Sequence, residues 1–316
     1  MRLPISVDGE GIEVGLAGVP FDLGNTFRTG QRQGPAQVRE MSRLIRPVNG
    51  STDIAPTELC RIADVGDAPV DPLSLRNNVD LITSFFSELH KKNVRPLACG
   101  GDHTITYFIL RAIAQDRPLG LLHIDSHFDT REQVNGERVN NATLLRRAVE
   151  ENLIDPKRTV QVGLRGTRPG HSDKDFSIQS GMRVITYDDY EEMGRLAVIE
   201  EVRRVLGDQP AYITFDVDSL DPVYCPGTGV WEPGGLSMRD SQVLLRGLRG
   251  LNVVAGDVVE VCPSLDPSGL TAANAANLMF EILCLMSENL ASERPRGKAS
   301  KLANALQLKP TELHGR

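Results

Sequence analysis

The chain has 316 residues, of which 40% are hydrophobic, and it carries a net charge of −7. That is enough apolar material for a substantial core, and the absence of any block of like charges gives no reason to expect a nucleic acid or an anionic membrane as partner. No apolar run reaches the length of about 18 residues that a membrane span needs, and the N-terminus lacks the apolar core of a signal peptide. We therefore expect a soluble, cytoplasmic protein.

The five cysteines are scattered and odd in number, and no two of them form a C-x-x-C pair. They are Cys60, Cys99, Cys225, Cys262 and Cys284. This pattern is typical of free thiols in a reducing compartment, and it argues against a disulfide framework or a thiolate zinc site.

Eight short apolar segments rich in strand formers follow one another along the chain. They span residues 12–19, 59–66, 94–101, 119–125, 159–166, 182–188, 211–218 and 253–261. Segments with helical periodicity lie between most of them, for example residues 75–92 and 194–207. Strands that are apolar throughout and alternate with helices indicate βαβ units. We therefore predict an α/β fold of three layers, in which helices cover both faces of a mostly parallel sheet.

No linker, repeat or low-complexity tract divides this pattern, so we predict one domain over residues 1–290. The remaining residues, 291–316, are polar, basic and weakly periodic. They predict a helix that ends in a mobile terminus, and an arm that binds a partner is the alternative. Within the domain, Ser237 is expected to cap a helix, with Asp240 as its capping-box partner.

The stretch LLHIDSHFDTR places three metal-type ligands after the fourth apolar segment. Alternate side chains of an extended chain point to one face, so Asp125, His127 and Asp129 leave the strand end together, about 6 to 7 Å apart along the backbone. Two carboxylates and an imidazole on one edge indicate a divalent metal site, provided that other strand ends supply the missing ligands.

Two other strand ends supply such ligands. GGDH brings His103 to the end of one segment, and FDVD brings Asp216 and Asp218 to the end of another. The carboxyl ends of parallel strands gather functional groups at one edge of a sheet. Three further aspartates near strand ends are interpreted as structural carboxylates of the helix-capping kind: Asp102, Asp221 and Asp257. The last segment also ends in Glu260, to which no role is assigned.

Each candidate ligand alone has an ordinary structural explanation, such as a hydrogen-bonded histidine or a capping aspartate. Together they favour a metal site, because carboxylates buried at this density would repel one another and protonate unless a cation neutralised them. The predicted ligands are His103, Asp125, His127, Asp129, Asp216 and Asp218. This set suits two ions with a bridging water, and oxygen and nitrogen ligands without thiolate fit Mn²⁺, Ni²⁺ or Zn²⁺. The predicted chemistry is hydrolysis.

The motifs GGDHT, DSHFD and FDVDSLDP, followed by PGTG and EPGGLS, resemble the signatures of the ureohydrolases, the arginase and agmatinase superfamily. GVPFD and GDVVEV extend the resemblance over nearly the whole chain, and the agmatinase and guanidino-acid hydrolase branch is the most similar. The resemblance implies a single domain built on about eight parallel strands, an oligomer of three or six subunits, and a dinuclear centre that usually holds manganese.

The resemblance also implies roles for individual residues. One ion would be bound by His103, Asp125, Asp129 and Asp216. The other would be bound by Asp125, His127, Asp216 and Asp218. Asp129 would also hold a metal-bridging hydroxide that attacks the guanidinium carbon, and Glu232 would bind the guanidinium group. An amine and urea would then be released.

Two departures from the family pattern, at Asn141 and Trp231, bear on the substrate. Asn141 stands where members commonly have a histidine that relays protons or contacts substrate, and an amide cannot titrate near pH 7. His171 is therefore a candidate for substrate contact or proton relay, with a solvated loop histidine as the alternative. Trp231 either packs at a subunit interface or forms an aromatic wall against the substrate.

These changes leave two kinds of substrate open. One is agmatine or a guanidino acid, and the other is an atypical compound such as guanidine, a methylated guanidine or a biguanide. Unusual branches of the family hydrolyse compounds of the second kind, some of them with nickel. The main hypothesis is a hydrolase that cuts a C–N bond of such a compound. One alternative is a metal-binding, catalytically weak subunit that needs a paralogous partner in a hetero-oligomer. The other is a deacetylase on the same general fold, for which a single zinc with three protein ligands would suffice.

Overall fold

The centre of the fold is an eight-stranded sheet in the computed structural model, which describes residues 3–6 and 8–294. In chain order the strands are β1 Val14–Val19, β2 Ile62–Asp67, β3 Arg95–Gly100, β4 Leu119–Ile124, β5 Ile154–Leu164, β6 Arg183–Thr186, β7 Ala211–Asp216 and β8 Val253–Val259. Every neighbouring pair is parallel, and the order across the sheet is β2-β1-β3-β8-β7-β4-β5-β6. The eight predicted strands are confirmed.

Helices cover both faces of this sheet. In chain order the α-helices of the described residues are α1 Gly34–Met41, α2 Pro56–Leu59, α3 Leu75–Lys91, α4 Ile105–Ile113, α5 Leu144–Glu150, α6 Ser172–Ser180, α7 Tyr187–Met193, α8 Arg195–Leu206, α9 Met238–Gly247 and α10 Leu270–Glu293. Residues of α1, α8, α9 and α10 pack into one apolar cluster with the sheet, and residues of α3, α4 and α5 pack into a second. The predicted three-layer α/β fold is confirmed.

Helix α10 runs past the predicted domain boundary at residue 290 and ends at Glu293. By length and composition alone it could cross a membrane, but 78% of its most apolar window is buried inside the fold. It packs on β8 and on α1, α2 and α9, which is the placement of a core helix. The rest of the predicted tail, from residue 295 onward, lies outside the described residues.

Two smaller expectations are also confirmed. Ser237 caps α9, because its Oγ accepts a hydrogen bond from the Asp240 amide at 3.0 Å. The reciprocal half of the predicted capping box is not formed, because the Asp240 carboxylate accepts from the Ser237 hydroxyl and not from the Ser237 amide. All five cysteines are free and buried. Burial raises the pKa of the Cys99 thiol to about 12, so this group is a core residue without thiolate character.

The strand order brings the polar strand ends together. β3, β8, β7 and β4 are consecutive in the middle of the sheet, and their carboxyl ends lead into His103, Glu260, Asp216 and Asp125 respectively. Because all strands are parallel, these four ends lie on one edge of the sheet. The candidate ligands therefore come from adjacent strands.

Close backbone packing beneath this edge requires a glycine at residue 101. The Gly101 amide donates to the Val19 carbonyl at 2.9 Å, and the following amide, of Asp102, donates to the Phe21 carbonyl at 2.8 Å. A Cβ at residue 101 would lie 2.0 Å from the Phe21 carbonyl oxygen. The segment that carries His103 is thus held against β1 with no room for a side chain.

We expect Gly101→Ala to lower the free energy of unfolding by about 2 to 3 kcal/mol, because the backbone must move to relieve the overlap. The matched control is Gly50→Ala, where a Cβ meets no atom within 4 Å. Denaturant unfolding of both variants at one protein concentration measures the difference. Equal unfolding midpoints would contradict the packing argument.

Candidate metal centre and substrate pocket

The structure brings all six predicted ligands together at the carboxyl ends of β3, β4 and β7. His103 Nδ1 lies 3.0 Å from Asp125 Oδ2 and 3.1 Å from Asp129 Oδ2. The same nitrogen lies 3.2 Å from Asp216 Oδ2. Three carboxylates from two strand ends therefore surround one imidazole nitrogen, which defines the first group of the site.

His127 is the centre of a second group. Its Nδ1 lies 3.0 Å from Asp218 Oδ2 and 3.4 Å from Asp125 Oδ1. Ligand atoms of Asp125, His127 and Asp218 all lie within 4.8 Å of one another. Asp125 thus faces the first group with one oxygen and the second group with the other. This is the arrangement expected of two neighbouring cation positions that share a carboxylate.

Orphaned polar atoms show that the site suits a cation. His103 Nδ1 and Asp125 Oδ2 are buried and lie 3.0 Å apart, but their contact lacks hydrogen-bond geometry and neither atom has another hydrogen-bond partner among the residues that the structure describes. Such groups are costly to bury unless a ligand satisfies them. Carboxylate oxygens and imidazole nitrogens are ligands that Mn²⁺, Ni²⁺ and Zn²⁺ accept. The residues present therefore fit a pair of divalent ions.

The electrostatics of the cluster lead to the same conclusion. Burial raises the pKa of Asp216 well above its ordinary value, and the charges of Asp218 and Asp125 raise it further. Burial also raises the pKa of Asp218. For His103, burial alone would lower the pKa, but the surrounding carboxylates, Asp125 first among them, outweigh it and raise the pKa well above the usual value. Divalent cations here would keep the carboxylates ionised and the imidazoles neutral.

A buried network beneath the site orients His103. Its Nε2 lies 2.8 Å from Thr214 Oγ1, and that hydroxyl donates to Asp257 Oδ1 at 2.6 Å. Tyr212 and Thr106 donate to Asp257 Oδ2 at 2.5 and 2.7 Å. Since the Thr214 proton goes to Asp257, the Thr214 oxygen accepts from His103 Nε2 and leaves Nδ1 to face the carboxylates. The interpretation of Asp257 as a helix cap was wrong: it lies within β8 and supports a candidate ligand.

His123, which was not among the predicted ligands, is also buried in the site. Its Nε2 lies 3.0 Å from Asp125 Oδ2. On the other side of the ring, Gln161 Nε2 donates to the Phe128 carbonyl at 2.9 Å and lies 3.2 Å from His123 Nδ1. Gln161 is therefore the donor to Nδ1, which leaves the ring proton on Nε2, where a protonated nitrogen cannot bind a metal. A signal was available, because His123 alternates with Asp125 on one face of the strand.

A cavity of about 160 Å³ opens beside these ligands, and Glu232 lies in its wall. Glu232 Oε1 is 4.0 Å from His127 Nε2. Gly166 makes room for this carboxylate, since a Cβ at residue 166 would lie 1.9 Å from Glu232 Oε2. The predicted guanidinium-binding residue is thus placed next to the second ligand group.

Glu260 is a second carboxylate in the cavity, and the sequence analysis gave it no role. It is buried, and it accepts hydrogen bonds from the His103 amide at 2.8 Å and from Gln31 Nε2 at 2.9 Å. Burial, together with the charge of Asp102, raises the pKa of Glu260 to about 8. A single glutamate after a strand is common and does not indicate a site by itself. Glu260 lies in the site because β8 is placed between β3 and β7 in the sheet.

Asn141 also lines the cavity. Its Nδ2 lies 3.3 Å from Glu260 Oε1 and 3.3 Å from Asn25 Oδ1. Its own Oδ1 is buried and has no hydrogen-bond partner within the described part of the chain. An orphaned carbonyl oxygen in a cavity wall can accept a hydrogen bond from a ligand N–H.

Two predicted site residues are not brought into the cavity. His171 is exposed at the start of α6 and is not among the residues that line the cavity. Trp231 is 45% exposed; its Nε1 donates to the Pro226 carbonyl at 3.0 Å, and its ring centroid lies 4.3 Å from the guanidinium carbon of Arg28. The geometry gives no support to proton relay by His171, which the segment after β5 carries into solvent, or to an aromatic wall formed by Trp231.

Arg165 joins the two sides of the cavity. Its guanidinium donates to the Asp218 carbonyl at 2.9 Å and to the Glu232 carbonyl at 2.7 Å. It also donates to the carbonyls of Gly163, Ser219 and Leu220. One half-buried side chain therefore fixes the Asp218 segment, which carries a candidate ligand, relative to the Glu232 segment, which carries a candidate substrate residue.

Parallel strands that end in paired His/Asp groups beside a polar cavity define a class of metal-dependent α/β hydrolases. The chain belongs to the arginase family, whose model matches residues 12–285. It is 46% identical over 292 residues to a guanidinopropionase of Pseudomonas aeruginosa, covering 92% of each chain. It is 40% identical over 287 residues to a mitochondrial agmatinase of Gallus gallus, covering 90% of this chain and 84% of that one.

A solved structure supports the same assignment. The proclavaminate amidino hydrolase of Streptomyces clavuligerus is 35% identical and superposes with a TM-score of 0.88, covering 91% of this chain and 96% of that chain. The predicted membership of the agmatinase and guanidino-acid hydrolase branch is confirmed, and the protein is a metal-dependent hydrolase of the ureohydrolase class.

We expect Thr214→Val to weaken the binding of divalent metal about 10- to 100-fold, because His103 loses the acceptor that orients its ring. Titration against a chromophoric chelator measures the affinity. Thr83→Val is the matched control, since the Thr83 hydroxyl donates to the Phe108 carbonyl in α4 and touches no candidate ligand. Equal metal affinity in the two variants would show that the network does not orient His103.

Proposed function

We propose that the protein hydrolyses a C–N bond of a guanidino compound and releases urea, or a urea derivative, and an amine. One observation carries the proposal: two His/Asp groups that share Asp125 border a cavity whose wall also contains Glu232 and Glu260. The first feature suits the activation of water, and the second suits the binding of a planar cation. Membership of the arginase family supports the same class of reaction.

The cavity residues would bind the guanidinium group through carboxylates and one amide. Glu232 and Glu260 offer oxygens that match the paired N–H groups of a guanidinium. Asn141 Oδ1, which lacks a partner among the described residues, would accept a further N–H. Acceptors on different walls of a small cavity fix the plane of the group and hold its carbon beside the ligand cluster.

We propose the same assignment of metal ligands that the resemblance to the ureohydrolases implies. His103, Asp125, Asp129 and Asp216 would hold one ion. Asp125, His127, Asp216 and Asp218 would hold the other. Two bound divalent ions supply a water with a pKa lowered toward neutrality. Asp129 is proposed to accept a hydrogen bond from that water and orient it, and Mn²⁺ is proposed as the ion, with Ni²⁺ as the alternative.

The size of the cavity favours a compact substrate. About 160 Å³ is small for a ligand pocket, so a guanidinium group with a short tail fills it. By name, the two relatives are a guanidinopropionase and an agmatinase, which supports a guanidino substrate. Guanidine, methylated guanidines and biguanides remain in the proposed range because Asn141 differs from the usual family residue.

Asn141 also motivates a second candidate function, a metal-binding but catalytically weak subunit that acts with a paralogous partner. An amide cannot donate a proton to the leaving amine. The complete ligand set argues for the enzyme, because an inactive subunit has no physical need to keep four carboxylates buried together.

We propose a trimer or hexamer, formed with further copies or with a paralogous subunit, in the cytoplasm. Phe27 and Trp231 are 71% and 45% exposed, and the guanidinium of Arg28 lies over both rings. An exposed aromatic patch of this kind is typical of a subunit contact.

We expect metal-loaded protein to hold about two divalent ions per chain and to release urea from a guanidino compound. Elemental analysis gives the metal content, and a urea assay over guanidino acids, agmatine, guanidine, methylguanidine and biguanides gives the activity. Asp125→Ala removes the shared carboxylate and should abolish both. Asp208→Ala, an exposed aspartate, is the control. Metal-replete wild-type protein without stoichiometric ions, or without urea release from any of these compounds, would overturn the proposal.

Asn141→His separates the two candidate functions. We expect it to lower kcat/KM on the preferred substrate about tenfold or more, because the buried acceptor Oδ1 and the contact with Glu260 are both lost. Steady-state kinetics of the two proteins, loaded with the same metal, measure the change. A gain of activity from a nearly inactive wild type would instead support the weak-subunit function.

A further inference from the structure

Gln31 is a polar side chain that is completely buried behind the wall of the cavity. It belongs to the 3₁₀ helix Gln31–Gln33 and is 0% exposed. Its Nε2 donates to Glu260 Oε2, in the cavity wall, at 2.9 Å and to the Arg28 carbonyl at 3.1 Å. An ionised carboxylate and a backbone carbonyl can only accept hydrogen bonds. The nitrogen of the Gln31 amide must therefore face them, and its oxygen must face the other way.

The oxygen of Gln31 faces Asn25, and the two side chains form a paired amide contact. Asn25 Nδ2 donates to Gln31 Oε1 at 2.7 Å, and Gln31 Nε2 donates to Asn25 Oδ1 at 3.3 Å. This pair fixes the direction of the Asn25 carboxamide, whose Oδ1 also accepts from Asn141 Nδ2 at 3.3 Å. The nitrogen of Asn141 thus faces Asn25 and Glu260, which leaves its unpartnered Oδ1 as the atom available to a ligand.

The contacts of Glu260 leave one of its acceptor positions free. Its Oε1 accepts from the His103 amide at 2.8 Å and from Asn141 Nδ2 at 3.3 Å, and its Oε2 accepts from Gln31. Since an ionised carboxylate has about four acceptor positions, the remaining one is on Oε2. Glu260, Gln31, Asn25 and Asn141 thus form a closed ring of hydrogen bonds, here called the Gln31 network. The N–H of Gln31 sets the direction of the free position on Oε2.

The segment around Gln31 leaves its amide little freedom to move. Asp22 Oδ2 accepts a hydrogen bond from the Gly30 amide at 2.9 Å, and Arg28 Nε donates to the Gly229 carbonyl at 2.7 Å. A Cβ at residue 229 would lie 2.6 Å from Gln31 Nε2, so the backbone of Gly229 packs directly against the amide. The Gln31 network is therefore held in place before a ligand enters, and a preorganised site loses less entropy when it binds.

We propose that Gln31 is a positioning residue of the substrate site: with Asn25, it holds Glu260 and Asn141 so that each presents a free acceptor oxygen to the cavity. The proposal rests on the proposed function and adds to it a residue that acts through its neighbours. A guanidinium group has N–H donors and no acceptor, so fixed oxygens complement it. Without the Gln31 amide, Glu260 Oε2 is free to turn to another partner, and Asn25 is free to rotate and place an N–H against Asn141 Nδ2.

The test removes the amides and keeps the size of the side chains. Steady-state kinetics on the preferred guanidino substrate compare wild type with Gln31→Met, Asn25→Leu and Asn25→Asp, all loaded with the same metal. Gln31→Met and Asn25→Leu should each raise KM about tenfold and change kcat less than about threefold, because the acceptor oxygens are no longer fixed before the substrate binds. Asn25→Asp keeps an acceptor for Gln31 and Asn141, so its KM should lie between those of wild type and Asn25→Leu.

Three controls separate positioning from a general loss of structure. Gln242→Met should keep the KM of wild type, because Gln242 Nε2 donates to Asn277 Oδ1 at 2.8 Å between α9 and α10, outside the cavity. Chelator titration and thermal melting should show every variant folded, with a metal affinity within about threefold of wild type. The double variant Gln31→Met, Asn141→Ala should raise KM by less than the product of the single effects, because Gln31 acts partly through Asn141.

The outcomes distinguish this proposal from the proposed function. If wild type releases urea while Gln31→Met and Asn25→Leu keep its KM, or lose activity only with loss of metal or of folding, the positioning role is refuted and the proposed function stands. If wild type releases no urea, the proposed function fails, and calorimetric titration of the metal-loaded protein with guanidinium chloride decides. Binding about tenfold tighter to wild type than to Gln31→Met then supports the positioning role, and equal binding or none refutes it.

Discussion

The burial of four carboxylates side by side is the constraint on which the rest of this structure depends. Asp125 is fully buried, and Asp129, Asp216 and Asp218 are nearly so. In a medium that solvates charge poorly, such a group is tolerable only if cations neutralise it or protons bind to it. The imidazoles of the site and the orphaned atoms between them provide positions for cations, and the parallel sheet provides the crowding, because adjacent strands end at the same edge.

The same constraint explains how much of the surrounding structure holds these groups in place. His103 is oriented by Thr214, which in turn donates a hydrogen bond to Asp257. The ring of His123 lies against Asp125. The Asp218 segment is held by a hydrogen bond from Arg165 to its backbone carbonyl. Ligands that repel one another do not keep a common geometry unless their supports are rigid. Thr214, Asp257 and His123 lie within strands, and Arg165 follows directly after β5, so all four supports are held by the sheet.

Much of the fold and of the ligand set could be predicted because both depend on local periodicity. The D-x-H-x-D spacing just after an apolar run marks Asp125, His127 and Asp129 as candidate ligands, although in the structure they follow the end of β4 and Asp129 has a left-handed backbone. Apolar runs between helices predict parallel strands. The rest depends on strand order, which local patterns do not contain. Glu260 and Asp257 matter because β8 lies between β3 and β7, and that neighbourhood became known only from the structure. His123 was missed although its spacing of two residues from Asp125 was visible in the sequence. His171 was proposed because it was the histidine left without a role, and this says nothing about where its side chain lies in the fold.

The amide side chain of Asn141 raises the question of which group protonates the leaving amine in the proposed reaction. Asn141 contacts Glu260 through Nδ2 and presents an unpartnered Oδ1, so its chemistry in the cavity is to accept a hydrogen bond and not to transfer a proton. The leaving amine still needs a proton, and the attacking water has one to give. Asp129 lies 3.1 Å from His103 Nδ1 and lines the cavity, so under the proposed function its carboxylate would take that proton and pass it to the amine. Under the proposed function, residue 141 would then have no part in acid catalysis, and its identity would instead set how the guanidinium group is bound.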